Sequence, residues 1–239
     1  MLTIEKTVLP SPEQWEIVIE GMRNPKNSWD KMDSYECVVR KGRKCDSYNH
    51  ETGTGCYDCF SGYCIGENDK DLMERLAKGG AVHAKYRRMI PVFLTINAPL
   101  YWWKEFDTYK VGTVTNSCST MHKIHDKEFR LADFSYEHLE IEYIEADDCY
   151  YDWIGQLEDT ISYLNIAREK FLATKDKKYW WQMIQLLPTS YNQKRTVMLN
   201  YEVLVNIYHS RKNHKLDEWH TFCDWIKELP YSELITGEE

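Results

Sequence analysis

The chain has 239 residues, with 30 Lys and Arg against 38 Asp and Glu for a net charge of −8, and is 43% hydrophobic, 28% charged and 14% aromatic. That is the composition of one globular chain able to fill a core, since roughly 100–200 residues make a domain. No stretch approaches the ~18 uninterrupted apolar residues of a membrane span. The start, MLTIEKTVLPSPEQW, has no basic segment followed by an apolar one, so a cytoplasmic protein is expected. The acidic balance argues against broad duplex binding, which needs a basic face to displace counterions, and leaves open a local basic pocket for one nucleotide.

In chain order, Leu2, Ile4 and Val8 alternate weakly and predict a short strand. Ser11-Pro12-Glu13 then opens a helix with an apolar face of Trp15, Ile17, Val18, Ile19 and Met22, stopped by Asn24-Pro25. From Asp30 to Asn68 the composition turns to Gly, Asp, Ser, Asn, Tyr and Cys without helical period, as in an inserted loop or small hairpin. Asp69 to Lys78 resumes as a helix, closed by Gly79-Gly80. Met89 to Ile96 (MIPVFLTI) reads as a buried strand, and a helix is expected from Pro99 through LYWWKEF. Val111 to Cys118 reads as loop. The second half is helical in pattern, with a long helix carrying Ile154, Leu157, Ile161, Leu164, Ala167 and Phe171. Shorter helices are expected over Tyr179 to Leu187, Thr196 to Arg211 and Asp217 to Leu229. Strands and helices do not alternate regularly, so the expected class is α+β.

Eight cysteines fall unevenly: Cys37, Cys45, Cys56, Cys59 and Cys64 share one stretch, while Cys118, Cys149 and Cys223 are scattered. A disulfide framework belongs to secreted chains too small to bury a core, which leaves metal or plain thiols. Cys56-x-x-Cys59 has the knuckle spacing that turns two thiolates toward one tetrahedral Zn²⁺, with Cys45 and Cys64 as the other candidate ligands; ordinary reduced thiols beside His50 are the alternative. A Gly-rich phosphate loop, HExxH and GxSxG are all missing from the sequence.

Two stretches carry a longer pattern. Leu187 to Arg211 (LPTSYNQKRTVMLNYEVLVNIYHSR) places Leu187, Pro188, Asn200, Leu204, Asn206 and Arg211 as in the "LP…N-x-R-x-L-x-N-F-x-x-x-R" segment of the flavin-dependent thymidylate synthases, the ThyX-type family, which it resembles. Gly80-Ala-Val-His83, the strand MIPVFLTI, Ala98-Pro99 and Lys104-Glu105 resemble that family's earlier segment. With the long helix between, the likeness covers roughly residues 70–229. It implies a single α+β domain over residues 1–239: a small mixed sheet flanked by helices, helix-rich in its C-terminal half, with a Cys-rich insertion at about 37–66. It implies FAD, a reduced nicotinamide and a methylene-folate, reductive methyl transfer to C5 of a pyrimidine nucleotide, and a homotetramer with shared active sites.

The resemblance assigns site residues one by one. The family's Arg-His-Arg-x-x-Ser run holds phosphate with two guanidinium groups. Without gaps, Thr108-Tyr-Lys-Val-Gly-Thr113 stands there, where Lys110 keeps a cation and Thr113 a hydroxyl; a shift of one residue instead aligns Asn116 and Ser119. Lys110, Thr113 and Asn200 are thus implied phosphate and flavin ligands, His83 a residue lining the flavin, and Arg211 a phosphate ligand in the active site. Glu202 replaces the arginine that polarises the pyrimidine. A carboxylate cannot stabilise charge on a uracil carbonyl but accepts from an amine or ring N–H, so a Glu202 in the pocket is expected to favour an amino-bearing edge such as that of cytosine. Glu202 and Asn206 also share a face that an exposed helix would show. The cluster Tyr101, Trp102, Trp103, Phe106 and Tyr109 is expected in the core or an interface. Scaffold retained with signature cations lost gives the alternative: a non-catalytic, homo-oligomeric pseudoenzyme that holds a nucleotide or a protein.

Overall fold

The computed structural model describes residues 1–37, 62–144 and 148–237. Strands β1 (Thr3–Val8), β4 (Pro91–Pro99), β5 (Val114–Ser117) and β8 (Asn192–Asn200) form one sheet in the order β1-β4-β8-β5. The two central strands run antiparallel: Leu100 N–H donates to Tyr191 O at one end, and Tyr201 N–H to Ile90 O at the other. Two small antiparallel pairs accompany it, β2 (Tyr35–Glu36) with β3 (Tyr63–Cys64) and β6 (Ile141–Ile144) with β7 (Cys149–Asp152). The helices are α1 (Pro12–Arg23), α2 (Glu67–Lys78), α3 (Leu100–Phe106), α4 (Trp153–Thr174), α5 (Lys177–Leu186), α6 (Tyr201–Arg211), α7 (Asp217–Lys227) and α8 (Glu233–Thr236). The α+β class is therefore observed. Among the described residues no helix is long and apolar enough to cross a membrane.

Local chemistry sets these boundaries. Ser11 caps α1 in a reciprocal box with Gln14, and Pro12 stands at its first position, where a missing N–H costs nothing. Helix α2 begins two residues before the expected start, because the Asp33 carboxylate accepts from the N–H groups of Asn68 and Asp69 at 2.8 and 3.0 Å. Gly66 permits that approach, since a Cβ there would lie 2.2 Å from Asp33 Cγ. The two ends of the expected insertion meet as the β2–β3 ladder, with Cys37 N–H donating to Gly62 O.

Two expectations are corrected. Residues 196–200 are strand, not helix: Gln193, Val197 and Leu199 are buried while Lys194 and Thr196 are exposed, a period of two, and the helix starts only after Asn200. Val114–Ser117 is an edge strand rather than loop, with all four residues exposed.

The chain forms two compact units. One comprises Met1–Glu5, Thr95–Thr108 and Asn116–Thr196; the other comprises Lys6–Leu94, Tyr109–Thr115 and Val197–Glu239. In the first, α4 and α5 pack around Phe129, Phe134, Leu157, Ile161, Leu164 and Met183. There Trp102, Trp103 and Phe106 are fully buried, which settles the aromatic cluster as core at those three positions. In the second, Trp15 of α1 meets Tyr201 and Tyr231 edge-on, and α6 is nearly enclosed by α7, α8 and the 3₁₀ turn Lys85–Met89.

Candidate functional site

The second unit holds a cavity of about 820 Å³, inside the ~300–1,000 Å³ range of small-molecule sites. Its wall is built by α6, whose Glu202, Val205, Asn206 and His209 recur at three-four spacing and so share one face. Opposite stand Glu74 and Lys78 of α2, the Gly80-Ala81 turn and Arg87. The sequence dictates this meeting. Gly79-Gly80, with Gly80 at φ +86°, ends α2 and reverses the chain. Tyr86 then anchors the 3₁₀ turn by donating its hydroxyl to Met73 O at 2.9 Å, and burial pushes that phenol up to about 12. The bond from Tyr201 N–H to Ile90 O fixes the start of α6 against the end of the same turn.

Arg87 and Glu202 face each other at the cavity wall. Both are buried, at 8% and 9% exposure, and Arg87 Nη1 lies 3.8 Å from Glu202 Oε2. That is an ion pair by proximity but too long for a hydrogen bond. Arg87 Nε and Glu202 Oε2 have no hydrogen-bond partner among the described residues. The exposed-face reading of Glu202 is thereby corrected, while Asn206 on the same face is exposed. Arg87 went unnoticed in the sequence; the only local signal was a charged pair, Arg87-Arg88, immediately before a buried strand.

The other candidates lie elsewhere on this unit. Asn200 caps α6, its Oδ1 accepting from Val203 N–H at 3.1 Å. The Tyr109–Thr113 run folds against that end of the helix: Gly112, at φ +80°, is so close that a Cβ would lie 3.0 Å from Asn200 Nδ2. Lys110 is exposed, and Thr113 Oγ1 is buried without a hydrogen-bond partner among the described residues. Lys110, Thr113 and Asn200 are thus brought to one region. Arg211, at the other end of α6, donates from Nε to Tyr109 Oη at 2.9 Å and spreads its guanidinium over Trp219 at 4.9 Å. It does not line the cavity. His83 is exposed beside Gly79. Of the proposed zinc ligands, Cys45, Cys56 and Cys59 lie outside the described residues, Cys64 sits in β3, and no group of three metal-binding side chains occurs among the described residues.

No family model matches the sequence, and no curated protein matches it as a relative. Solved structures do. ThyX from Helicobacter pylori, solved with FAD and dUMP, superposes with a TM-score of 0.58 over 99% of this chain and 96% of that chain, at 14% identity. The UMP/dUMP methylase PolB from Streptomyces cacaoi, bound with 5-Br UMP, superposes with a TM-score of 0.56 over 99% and 94%, at 11% identity. The chain has the ThyX fold. The ThyX resemblance carried by the segments around residues 80–105 and 187–211 is accordingly matched at the level of the whole architecture. Within that fold, the segment that resembles the ThyX signature of Asn200 to Arg211 is α6 itself, the helix that walls the cavity.

Proposed function

We propose that the chain is a ThyX-like protein acting on a pyrimidine nucleotide, transferring a one-carbon unit reductively to C5. The observation that carries this reading is the cavity wall itself. A buried donor and a buried acceptor, Arg87 Nε and Glu202 Oε2, stand unpaired at the helix that resembles the family's substrate segment. Buried polar atoms without partners are few in folded proteins, and a donor and an acceptor of this kind on one cavity wall are what a polar ligand would pair. Dimensions agree, since the cavity accommodates a nucleoside monophosphate, and Lys78 at its edge offers a cation to the phosphate.

Lys110, Thr113 and Asn200 fit the phosphate end of FAD in chemistry: one ammonium, one buried hydroxyl with no hydrogen-bond partner among the described residues, and one amide. FAD held there would supply the redox chemistry, with reduced nicotinamide and methylene-folate as co-substrates, and His83 is the residue that the resemblance sets beside the flavin. The chain's own residues bind and orient the base, exclude water from it, and set the charge beside its ring. A homo-oligomer would complete the flavin surroundings.

Titration calorimetry of the full chain with dUMP tests the binding, and mass analysis of the product after supply of FAD, methylene-folate and reduced nicotinamide tests the reaction. Saturable binding and a C5-methylated nucleotide are expected. A second reading, a nucleotide-holding protein without chemistry, is favoured by one specific observation: Arg211 is packed between Tyr109 and Trp219, so the one guanidinium retained from the pattern is already engaged. Tight dUMP binding by protein that neither carries nor takes up a yellow chromophore selects that reading.

A further inference from the structure

We infer that Arg87 and Glu202 act together as the base-reading pair of the cavity and take the imide edge of a uracil nucleotide, Arg87 donating to a ring carbonyl and Glu202 accepting from N3–H. This deepens the nucleotide reading above and rests on it. Three features of the pair point this way. Both side chains are about nine-tenths buried and line the same cavity. Their charged ends are 3.8 Å apart, so they neutralise each other without bonding. Each keeps an unused polar atom, Nε on one and Oε2 on the other.

An ion pair kept for stability alone looks different. Burying two charges is costly and is offset only when the geometry is good and the remaining lone pairs and protons are satisfied. Here the charged ends do not bond and Glu202 Oε2 has no partner among the described residues, whereas the buried Arg23–Asp69 pair of the same unit bonds directly at 2.5 Å and its carboxylate is completed by Ser34 and two backbone N–H groups, with only Nη2 of Arg23 left over. The Arg87–Glu202 gap therefore has the character of a site. A donor beside an acceptor is the complement of a carbonyl beside an N–H. Uracil presents that order on either side of N3, and each contact with a charged partner is a strong hydrogen bond.

Arg87 also changes what Glu202 means. With Glu202 alone, the place of the family's arginine holds only negative charge, which suits an amino group. With Arg87 across from it, a cation is restored from a different segment, and a carbonyl oxygen that gains electron density during attack by C5 has a positive group to face. Cytosine offers an acceptor and an N–H through N3 and its amino group, but it gives the guanidinium a ring nitrogen in place of a carbonyl oxygen. The two bases are separated by experiment.

Calorimetry on the full chain with dUMP, N3-methyl-dUMP and dCMP makes the test without altering the protein. Wild type should bind dUMP about ten- to a hundredfold more tightly than N3-methyl-dUMP, the range set by one hydrogen bond to a charged group, and more tightly than dCMP. Arg87→Gln should weaken dUMP by a similar factor. Glu202→Gln should shrink the dUMP to N3-methyl-dUMP ratio toward one, a change of selectivity that mere loss of packing does not produce. Equal wild-type affinity for dUMP and its N3-methyl derivative overturns the assignment, as does a preference for dCMP, even if both variants fail to fold. Wild type that binds none of the three overturns the nucleotide reading as well, whereas dUMP binding with an unmoved ratio in Glu202→Gln overturns this inference alone.

Discussion

At the scale of single residues, the buried pairs Arg23–Asp69 and Arg87–Glu202 separate stability from recognition. Asp69 is wholly buried. Burial pushes its carboxyl up, but the Ser34 hydroxyl, the Arg23 guanidinium and the backbone N–H groups of Asp33 and Ser34 outweigh that and hold it below the usual carboxylate range. A carboxyl lowered on folding contributes stability that is fully present above its unfolded value of about 3.9 and lost as pH falls through the folded value. Thermal melts should therefore show the transition temperature declining as the medium is acidified below about pH 4. Asp69→Asn leaves Arg23 buried without its counter-ion, expected to cost about 3–5 kcal/mol at neutral pH. Its deficit against wild type should narrow in acid. A deficit that stays constant from neutral to acid pH would show that Asp69 is not the linked group. Arg87→Gln also leaves a buried carboxylate, Glu202, without its counter-ion and should lower the melt, but by less than Asp69→Asn, because the charges it separates are 3.8 Å apart and not hydrogen-bonded.

At the scale of elements, the junction of β8 and α6 decides where Glu202 points. Asn200 closes the strand and caps the helix through the bond to Val203 N–H. Asn200→Ala should cost about 1 kcal/mol, a lowering of the melting temperature by roughly 2–4 °C in a chain of this length. Gly112→Ala should cost at least as much, because the residue holds φ +80° and its new Cβ would meet Asn200 Nδ2 at 3.0 Å and Val203 Cγ2 at 3.1 Å. If either variant melts with wild type, the packing of the Tyr109–Thr113 run on the start of α6 is not what positions this helix. The junction also shows what sequence could and could not reveal. The apolar periods of α1 and α4 and the punctuation by Ser11-Pro12 and Gly79-Gly80 were legible, since one element's own residues create those signals. Strand β5 was not, because an edge strand with both faces exposed carries no alternation to read. The helix expected from Thr196 ran through Asn200 because Val197, Leu199, Val203 and Leu204 are all buried, and their spacing suits neither period alone. Glu202 was legible as a departure from a pattern. Its partner Arg87 lies 115 positions earlier, and only the fold brings the two together.

At the scale of the whole molecule, the exposed apolar side chains gather in places. Within the first unit, the β6–β7 hairpin exposes Ile141 at 64% and Tyr150 at 72%, with Tyr143 and Tyr150 in ring contact 4.7 Å apart, and α4 exposes Tyr163 and Ile166. Single exposed apolar residues need no explanation, but aromatic residues gathered on neighbouring elements are the composition of an interface core. A stable interface buries about 800 Å² on each partner, so the hairpin would have to be joined by an adjoining face such as that of α4. Sedimentation of the purified full chain should accordingly show particles of more than one copy. Ile141→Asp with Tyr150→Asp places two carboxylates in that surface without removing anything from the buried core, so each copy should still fold while the assembly dissociates. If flavin surroundings are completed by other copies, the same double variant should lose FAD uptake while retaining dUMP binding in the cavity of Arg87 and Glu202, which is built within one chain. Wild type that sediments as a single copy, or a double variant that assembles unchanged, would remove the hairpin from any such role and leave the flavin site to be completed by one chain alone.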